Sequence, residues 1–365
     1  MVAQPAPVVR LAGLPPGAPI DASLLVREIE HRGGDHPHTI LHVGNAAGVL
    51  PTAPIWASER YRVEGITRGQ VVRLRGSIGR WRDKTQIQLD ALEPLPPGAI
   101  RWDDLLPSVG DSAPWWRIID TMRSQIQSPH LRSVLAIFFD DNDFRASFSR
   151  CPGSLSGHHG KIGGLLQHTC EVGHFSLTLA EPFFRTDAEL LLTAALLHDI
   201  GKLDAYQWNT GFEMTPQGRA LGHVVLGSQM LERRVAAHHP TPCTSAEREL
   251  LHHLMLSHHG ALDHGAPVLP MTLEAELLHL ADLASARGDS MQQALEDSTL
   301  FHEDDEISSR SLWQLDHRRV WRRQCDWGRS RKPGSEVSQP EDMVPSGDVY
   351  SLRPEGSPSG TAPVR

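Results

Sequence analysis

The pattern of hydrophobic and polar positions changes character once along this chain. Between about residues 23 and 97, apolar and polar residues alternate in short stretches, as in His38-Thr39-Ile40-Leu41-His42-Val43, Val71-Val72-Arg73-Leu74-Arg75-Gly76 and Thr85-Gln86-Ile87-Gln88-Leu89. A period of two sends successive side chains to opposite faces of a strand, and the glycines and prolines between the stretches are spaced as in a small barrel. From about residue 115 the period becomes three and four: Ile118, Ile119, Met122 and Ile126, then Leu131, Val134, Leu135 and Phe138. That spacing predicts helices as far as about residue 325. Pro94-Leu95-Pro96-Pro97-Gly98 is the natural linker between the two patterns. The first residues are rich in Pro, Ala and Gly and the last in Pro, Ser and Gly, with few large apolar side chains to order them. The expected organisation is a disordered N-terminus (1–22), a small all-β barrel (23–97), a linker with a leading helix (98–130), an all-α domain (131–310), and a basic segment with a disordered tail (311–365).

One apolar run contains two residues out of keeping with it. Leu190–Lys202 reads LLLTAALLHDIGK, with His198 and Asp199 where a helix should bury only aliphatic groups. The stretch Asp187–Lys202 reads as one helix with Asp187 as N-cap and Gly201 near its stop. A buried neutral polar group left unpaired costs roughly 2–7 kcal/mol, and an ionised one more, so the pair needs compensation. A metal supplies it. Further ligand types stand at His168, His223, His258, His259 and Asp282. His168, His198 and Asp282 come from three helical segments and would serve one ion; His223, His258 and His259 could complete a second through the two oxygens of Asp199. Mixed imidazole and carboxylate donors suit Mn, Fe or Zn better than Mg. Among the 21 histidines, His238-His239 and His252-His253 read as structural or surface residues, and His36, His38 and His42 as strand or loop residues.

With 365 residues the chain has room for two ordinary domains. A formal charge of −9 argues against coating nucleic acid through bulk charge, but local patches differ. Arg60, Arg62, Arg68, Arg73, Arg75, Arg80, Arg82 and Lys84 face only Glu64 and Asp83, and Trp56, Tyr61 and Trp81 interleave with them. Stacking aromatics among cations are what a barrel of this kind uses to hold a single strand. A solvated strand face is the competing reading. A second basic run, Arg318, Arg319, Arg322, Arg323, Arg329, Arg331 and Lys332 with Trp313, Trp321 and Trp327, reads either as a nucleic-acid-contacting arm or as a docked terminal helix. Cys151, Cys170, Cys243 and Cys325 are scattered, suggesting neither a disulfide framework nor a cysteine zinc site. With no leader pattern and no apolar run of spanning length, the expectation is a soluble, cytoplasmic protein without membrane contact.

The ordered residues resemble the HD superfamily of metal-dependent phosphohydrolases. The matching stretches run from His158-His159 through Gly163-Gly164-Leu165-Leu166-Gln167-His168-Thr169 to Leu196-Leu197-His198-Asp199-Ile200-Gly201-Lys202. Next come Leu221-Gly222-His223, Leu256-Ser257-His258-His259-Gly260 and Asp282. The closer resemblance, over roughly residues 23–290, is to the YhaM-type 3'-5' exoribonucleases, in which an OB-fold precedes the HD domain. It implies a multidomain protein, an OB-type barrel followed by an all-α HD domain. It implies His168, His198, Asp199 and Asp282 around one metal, with Asp199, His223, His258 and His259 around a second. The implied activity is removal of nucleoside monophosphates from the 3' end of single-stranded RNA, or DNA, typically with manganese, with Fe, Co or Zn as other candidates. Polarity of degradation rests on this resemblance alone.

Catalytic candidates are Asp199, Lys202, His158 and His159. Lys202 could face the scissile phosphate or be a solvated cation favoured by the helix dipole. His158 or His159 could donate to the phosphate or the leaving oxygen, or serve a loop hydrogen bond. Two departures from the family stand out: Leu283-Ala284-Ser285 replaces the usual Asn-Leu-Asp after Asp282, which removes a polar contact near the site, and His36-Pro37-His38 replaces a more apolar strand start. The rival readings are a phosphodiesterase or phosphohydrolase for cyclic dinucleotides or nucleotides and a catalytically silent nucleic-acid-binding module. Against cyclic dinucleotides, the chain has no Gly-Tyr-Pro, and its tyrosines are Tyr61, Tyr206 and Tyr350. Assembly as a homo-oligomer stays open.

Overall fold

A computed structural model describes residues 11, 14–81, 84–96, 102–155, 157–208, 211–297, 300–301, 305–323, 325 and 327. Packing divides the chain into two units. The first runs to Gly110 and also takes in Gly160–Ile162 and Gln207–Glu213; the second comprises Asp111–His159, Gly163–Tyr206 and the chain from Met214 onward.

The first unit is an antiparallel sheet of β1 (Pro19–Arg32), β2 (His38–Asn45), β3 (Gly48–Pro51), β4 (Ile55–Trp56), β5 (Val71–Trp81) and β6 (Lys84–Pro94). Its order is β3-β2-β1-β5-β6, with β4 on β2. It curls like a barrel without closing; an isolated bridge joins Thr52 to Ile87. This arrangement fits an OB-type domain. The alternation along β5 gives the sheet its inner face: Val72, Leu74 and Ile78 turn inward onto Leu24, Val26, Leu41, Val43 and Ile87, while Arg73 and Arg75 stay outside. β1 begins inside the stretch expected to be disordered, because Ile20 pairs with Gly76 and is buried, and Leu11 is buried in the same core. A short helix, α1 (Trp102–Leu105), follows the sheet.

The second unit is helical: α2 (Ala113–Gln125), α3 (Pro129–Phe139), α4 (Asn142–Phe148), α5 (Gly164–Ala180), α6 (Ala188–Leu197) and α7 (Lys202–Ala205) come first. After the two-residue strands β7 (Tyr206–Gln207) and β8 (Glu213–Met214) come α8 (Pro216–Ala237), α9 (Ser245–Ser257) and α10 (Leu273–Glu296). Every residue of α6 from Leu190 to Leu197 is buried, as for a helix walled in on all sides. Asp187 caps it by accepting from the Leu190 amide at 3.0 Å, but it ends at Leu197, short of the expected Lys202. Beyond it the Ile200 and Lys202 amides donate three residues back, to the Leu197 and Asp199 carbonyls, a tighter turn. An aromatic cluster of Trp116, Phe138, Phe139, Phe144 and Phe148 fills the space between α2, α3 and α4.

The docked helix considered for the basic C-terminal run is not formed among the described residues. Trp313–Leu315 make one 3-10 turn, Asp316 and His317 have positive φ, and Leu312 and Ile307 bridge to Arg318 and Trp321. Leu315 and Val320 are buried with Ala294, Leu300 and Phe301, a spacing that a chain reversal satisfies and a helix does not. Arg329, Arg331 and Lys332 lie outside the described residues.

Candidate metal centre

Six of the seven sequence-predicted ligands fall into two trios, and the seventh lies between them. One nitrogen or oxygen from each of His168, His198 and Asp282 lies within 4.8 Å of the others, and the same holds for His223, His258 and His259. Asp199 is nearly inaccessible, 2% exposed, and turns one oxygen to each group. Its Oδ2 is 3.5 Å from His168 Nε2 and 3.3 Å from His198 Nε2; its Oδ1 is 3.2 Å from His223 Nε2 and 3.8 Å from His258 Nε2. Asp282 Oδ1 closes the first group at 3.0 Å from His168 Nε2.

Helix ends position these groups. His198 is the C-cap of α6 and donates through Nδ1 to the Ala195 carbonyl at 2.7 Å; His258 is the C-cap of α9 and donates to Met255 O at 2.6 Å. The last carbonyls of a helix lack intrahelical partners, so each ring finds an acceptor in its own final turn. A carbonyl can only accept, so Nδ1 carries the proton and the Nε2 lone pair is left facing inward. His259 uses the His264 carbonyl in the same way, at 2.9 Å. Two glycines bring α8 to the site. A Cβ on Gly201 would stand 2.0 Å from the His223 carbonyl oxygen, so only glycine lets the turn after Asp199 approach α8 this closely. Gly222, at φ 74°, breaks the helix just before His223.

The two trios differ in their electrostatics. Burial alone would raise the Asp199 carboxyl, but Lys202 and His198 beside it hold it well below the ordinary range. Asp282 is likewise depressed, against its burial, by a hydrogen bond with His168. Burial would lower His168, yet its bonds to Asp199 and Asp282 lift it to about 9. In the other trio burial, reinforced by neighbouring imidazoles, pulls His259 down to about 4 and His258 well below its usual value, so both rings are neutral donors. Asp199 Oδ1, His223 Nε2 and His258 Nε2 are buried with no hydrogen-bond partner among the described residues. Lone pairs stranded in this way beside a carboxylate are what a divalent ion requires at the His223, His258 and His259 trio, while the other trio offers three ligand atoms within 4.8 Å of one another, so the donor sets fit an ion at each.

The three other catalytic candidates separate. Lys202 is buried, not the solvated cation considered for it, and its Nζ donates to Asp199 Oδ2 at 2.5 Å. The His158 ring is centred 5.7 Å from that of His168, and burial lowers it to about 3. His159 is fully buried behind the ligands, its Nε2 3.0 Å from Glu171 Oε2 and its backbone amide bonded to Asp289, so it is removed from any reacting phosphate.

The polar contact expected to be missing after Asp282 is in fact made. Ser285 Oγ accepts from His168 Nδ1 at 2.9 Å and donates to Glu171 Oε2 at 2.7 Å. Burial would raise Glu171, but His159 and Ser285 hold it at about 2, fully ionised. Neither residue was among the sequence candidates. The signal was spacing: Glu171 follows His168, and Ser285 follows Asp282, by three residues, which puts each on the same helix face as a ligand.

The nucleic-acid candidates in the first unit divide as well. Arg73 is paired in bidentate fashion with Asp21 at 2.8 and 2.9 Å, and Arg75 with Glu93 at 3.0 Å, so the outer strand face is largely compensated. Trp56, Tyr61 and Trp81 are exposed, at 46%, 73% and 63%. Trp56 meets His38 edge-on with ring centres 5.1 Å apart, and Tyr61 lines a cavity of about 410 Å³ with His31, Thr39 and Arg60. Arg80 and Lys84 are near the β5–β6 hairpin, Lys84 on its exposed side; Arg82 lies outside the described residues. No helix among the described residues is long and apolar enough to cross a membrane.

Residues 165–287, which hold all seven candidate ligands, match the HD domain family. The chain therefore carries an HD domain. It is also homologous, over most of its length, to the 3'-5' exoribonuclease YhaM. The YhaM proteins of Bacillus pumilus (strain SAFR-032) and Bacillus subtilis (strain 168) are each 26% identical over 286 residues, covering 77% of this chain and 88% of the relative. That of Shouchella clausii is 25% identical over 286 residues, covering 77% and 87%. No solved structure matches the chain.

Proposed function

We propose that this protein is a metal-dependent 3'-5' exoribonuclease that hydrolyses single-stranded RNA at a two-ion centre and releases nucleoside monophosphates. The observation that carries the reading is Asp199, a buried carboxylate with one oxygen toward each of two ligand trios. The exoribonuclease name of relatives spanning most of the chain supports it and disfavours both a cyclic-dinucleotide phosphodiesterase and a silent binding module. His168, His198, Asp282 and Asp199 would hold one ion, and His223, His258, His259 and Asp199 the other. Manganese suits this mixture of imidazole and carboxylate. When bound, such ions activate water and offset the charge on the phosphoryl oxygens.

The chain's own groups do the rest. Asp199 fixes the spacing of the two trios, and His198 and His258 keep their lone pairs aimed inward through backbone carbonyls. Lys202 holds Asp199 Oδ2 and adds positive charge beside the phosphate position. His158, neutral at physiological pH, serves as a hydrogen-bonding group toward the substrate, not as a proton reservoir. The barrel's exposed Trp56, Tyr61 and Trp81, with Arg80 and Lys84, would hold the strand by stacking and charge.

The test is digestion of a 5'-labelled single-stranded RNA by the purified chain with Mn²⁺, beside Asp199→Ala and a DNA strand of the same sequence. The expected result is a ladder shortening from the 3' end. In Asp199→Ala the rate should fall by at least about a thousandfold, roughly 4 kcal/mol of transition-state stabilisation. Absence of cleavage by metal-loaded wild type would overturn the proposal, and the DNA lane sets sugar preference.

A further inference from the structure

We infer that Glu171, acting through Ser285, is a positioning residue for the first trio: by way of a hydroxyl on α10 it gives His168 Nδ1 the fixed acceptor that backbone carbonyls give the other ligand rings. The inference rests on the two-ion reading above.

His198, His258 and His259 satisfy Nδ1 with backbone carbonyls at or beyond helix ends. His168 cannot do so. It lies within α5, where the carbonyls of neighbouring turns are engaged in the helix ladder. Its Nδ1–H instead reaches across to α10 and meets the Ser285 hydroxyl. That hydroxyl is a weak orienting group alone, since it can rotate and can offer either a proton or a lone pair. Glu171 removes the ambiguity. A carboxylate only accepts, so the Ser285 proton must point to Glu171 Oε2, and the serine lone pair is left for His168.

The carboxylate is itself fixed. Gln167 Nε2 donates to Oε1 at 2.8 Å, and the fully buried His159 lies against Oε2. His159 is held in turn by the Asp289 carboxylate, which accepts from its backbone amide at 2.7 Å. The result is a relay from α5 to α10 and back to α5 that ends on the ring nitrogen opposite the metal-facing one. A carboxylate at the far end of such a relay fixes ring orientation and raises the basicity of Nε2, and losing an outer partner of this sort costs about 10–100-fold in metal affinity.

The experiment titrates Mn²⁺ into the metal-stripped full chain against a fluorescent chelator, for wild type, Glu171→Gln, Ser285→Ala, Ser285→Asp and the double variant Glu171→Gln with Ser285→Asp. Wild type should bind two ions. Glu171→Gln and Ser285→Ala should each weaken one of them by about tenfold or more and leave the other in place. In the double variant the carboxylate introduced on α10 accepts directly from His168 and should restore affinity to within about threefold. Ser285→Asp alone sets two carboxylates side by side and should bind more weakly than the double variant. This reversal of sign is one that a merely structural role for Glu171 would not produce. Should Glu171→Gln fail to fold, by circular dichroism of the metal-free protein, Ser285→Ala carries the same expectation. Wild-type affinity in Glu171→Gln or in Ser285→Ala, or no rescue by Ser285→Asp in the double variant, would overturn the inference while leaving the two-ion reading intact. A wild-type chain that binds no metal would overturn both.

Discussion

Lys202 and Asp199 form the most consequential residue pair. An ammonium and a carboxylate, both buried and in contact, hold each other charged, and without Lys202 the buried Asp199 carboxylate keeps only its imidazole neighbours. Lys202→Met should therefore destabilise the metal-free protein by roughly 3–5 kcal/mol, and saturating Mn²⁺ should recover much of this by giving Asp199 Oδ2 another cation. Urea unfolding with and without metal decides it; equal losses in both would show that Lys202 does not share the carboxylate with an ion. His223 belongs to one trio alone. His223→Ala should lower the Mn²⁺ stoichiometry from two to one, measured by metal analysis after dialysis, whereas Asp199→Ala should impair both sites. Legibility at this scale was uneven. Asp199 was conspicuous because a carboxylate in an aliphatic run has few explanations. Glu171 and Ser285 were not, because each is an ordinary polar residue on its own helix and becomes meaningful only when α5 meets α10.

The strands of the barrel were readable because burial on one face imposes a period of two, and β5 keeps it through Val72, Leu74 and Ile78. The extent of α6 was not, since an apolar run with a histidine and an aspartate at its end looks equally helical on either side of Leu197. Past Leu197 the chain tightens into three-residue turns that carry Gly201 against α8, a close approach that local sequence does not encode. The N-terminus of α9 offers a test separate from the metal centre. Thr244 and Glu247 form a reciprocal capping box, and the His130 ring of α3 lies 2.9 Å from the Glu247 carboxylate. The Thr244 amide and His130 lower the Glu247 carboxyl from 4.5 to about 2. Because the folded value is the lower one, the unfolded chain binds more protons in this window. The stabilisation is thus present above pH 4.5 and is lost as the pH falls toward 2. Glu247→Gln should melt below wild type at about pH 6, by a modest margin because the pair is exposed, and the gap should close on titration toward about pH 2.5. A gap that persists unchanged would mean the charge is not what stabilises the cap.

At the scale of the whole molecule, the basic stretch of the barrel looked like a continuous positive face in the sequence. Its compensation was hidden because Asp21 lies on a strand 52 residues away from Arg73. The two kinds of barrel residue should therefore behave differently. Trp81→Ala or Tyr61→Ala should raise KM for a long single-stranded RNA by about fivefold, the worth of roughly 1 kcal/mol of base stacking, with kcat and Mn²⁺ binding unchanged. Arg73→Ala should alter KM little, since its charge is already spent on Asp21. Steady-state kinetics on a long strand and a dinucleotide would check both, and equal effects on the two substrates would remove the barrel from strand capture. The centre depends on main-chain geometry more than its list of side chains suggests. Since the protonation pattern of His198 and His258 is dictated by carbonyls at the ends of α6 and α9, substitutions among neighbouring side chains leave that pattern untouched. The surroundings of the two imidazoles can thus drift far in sequence while the rings keep their coordination chemistry, provided that the two helices end where they do.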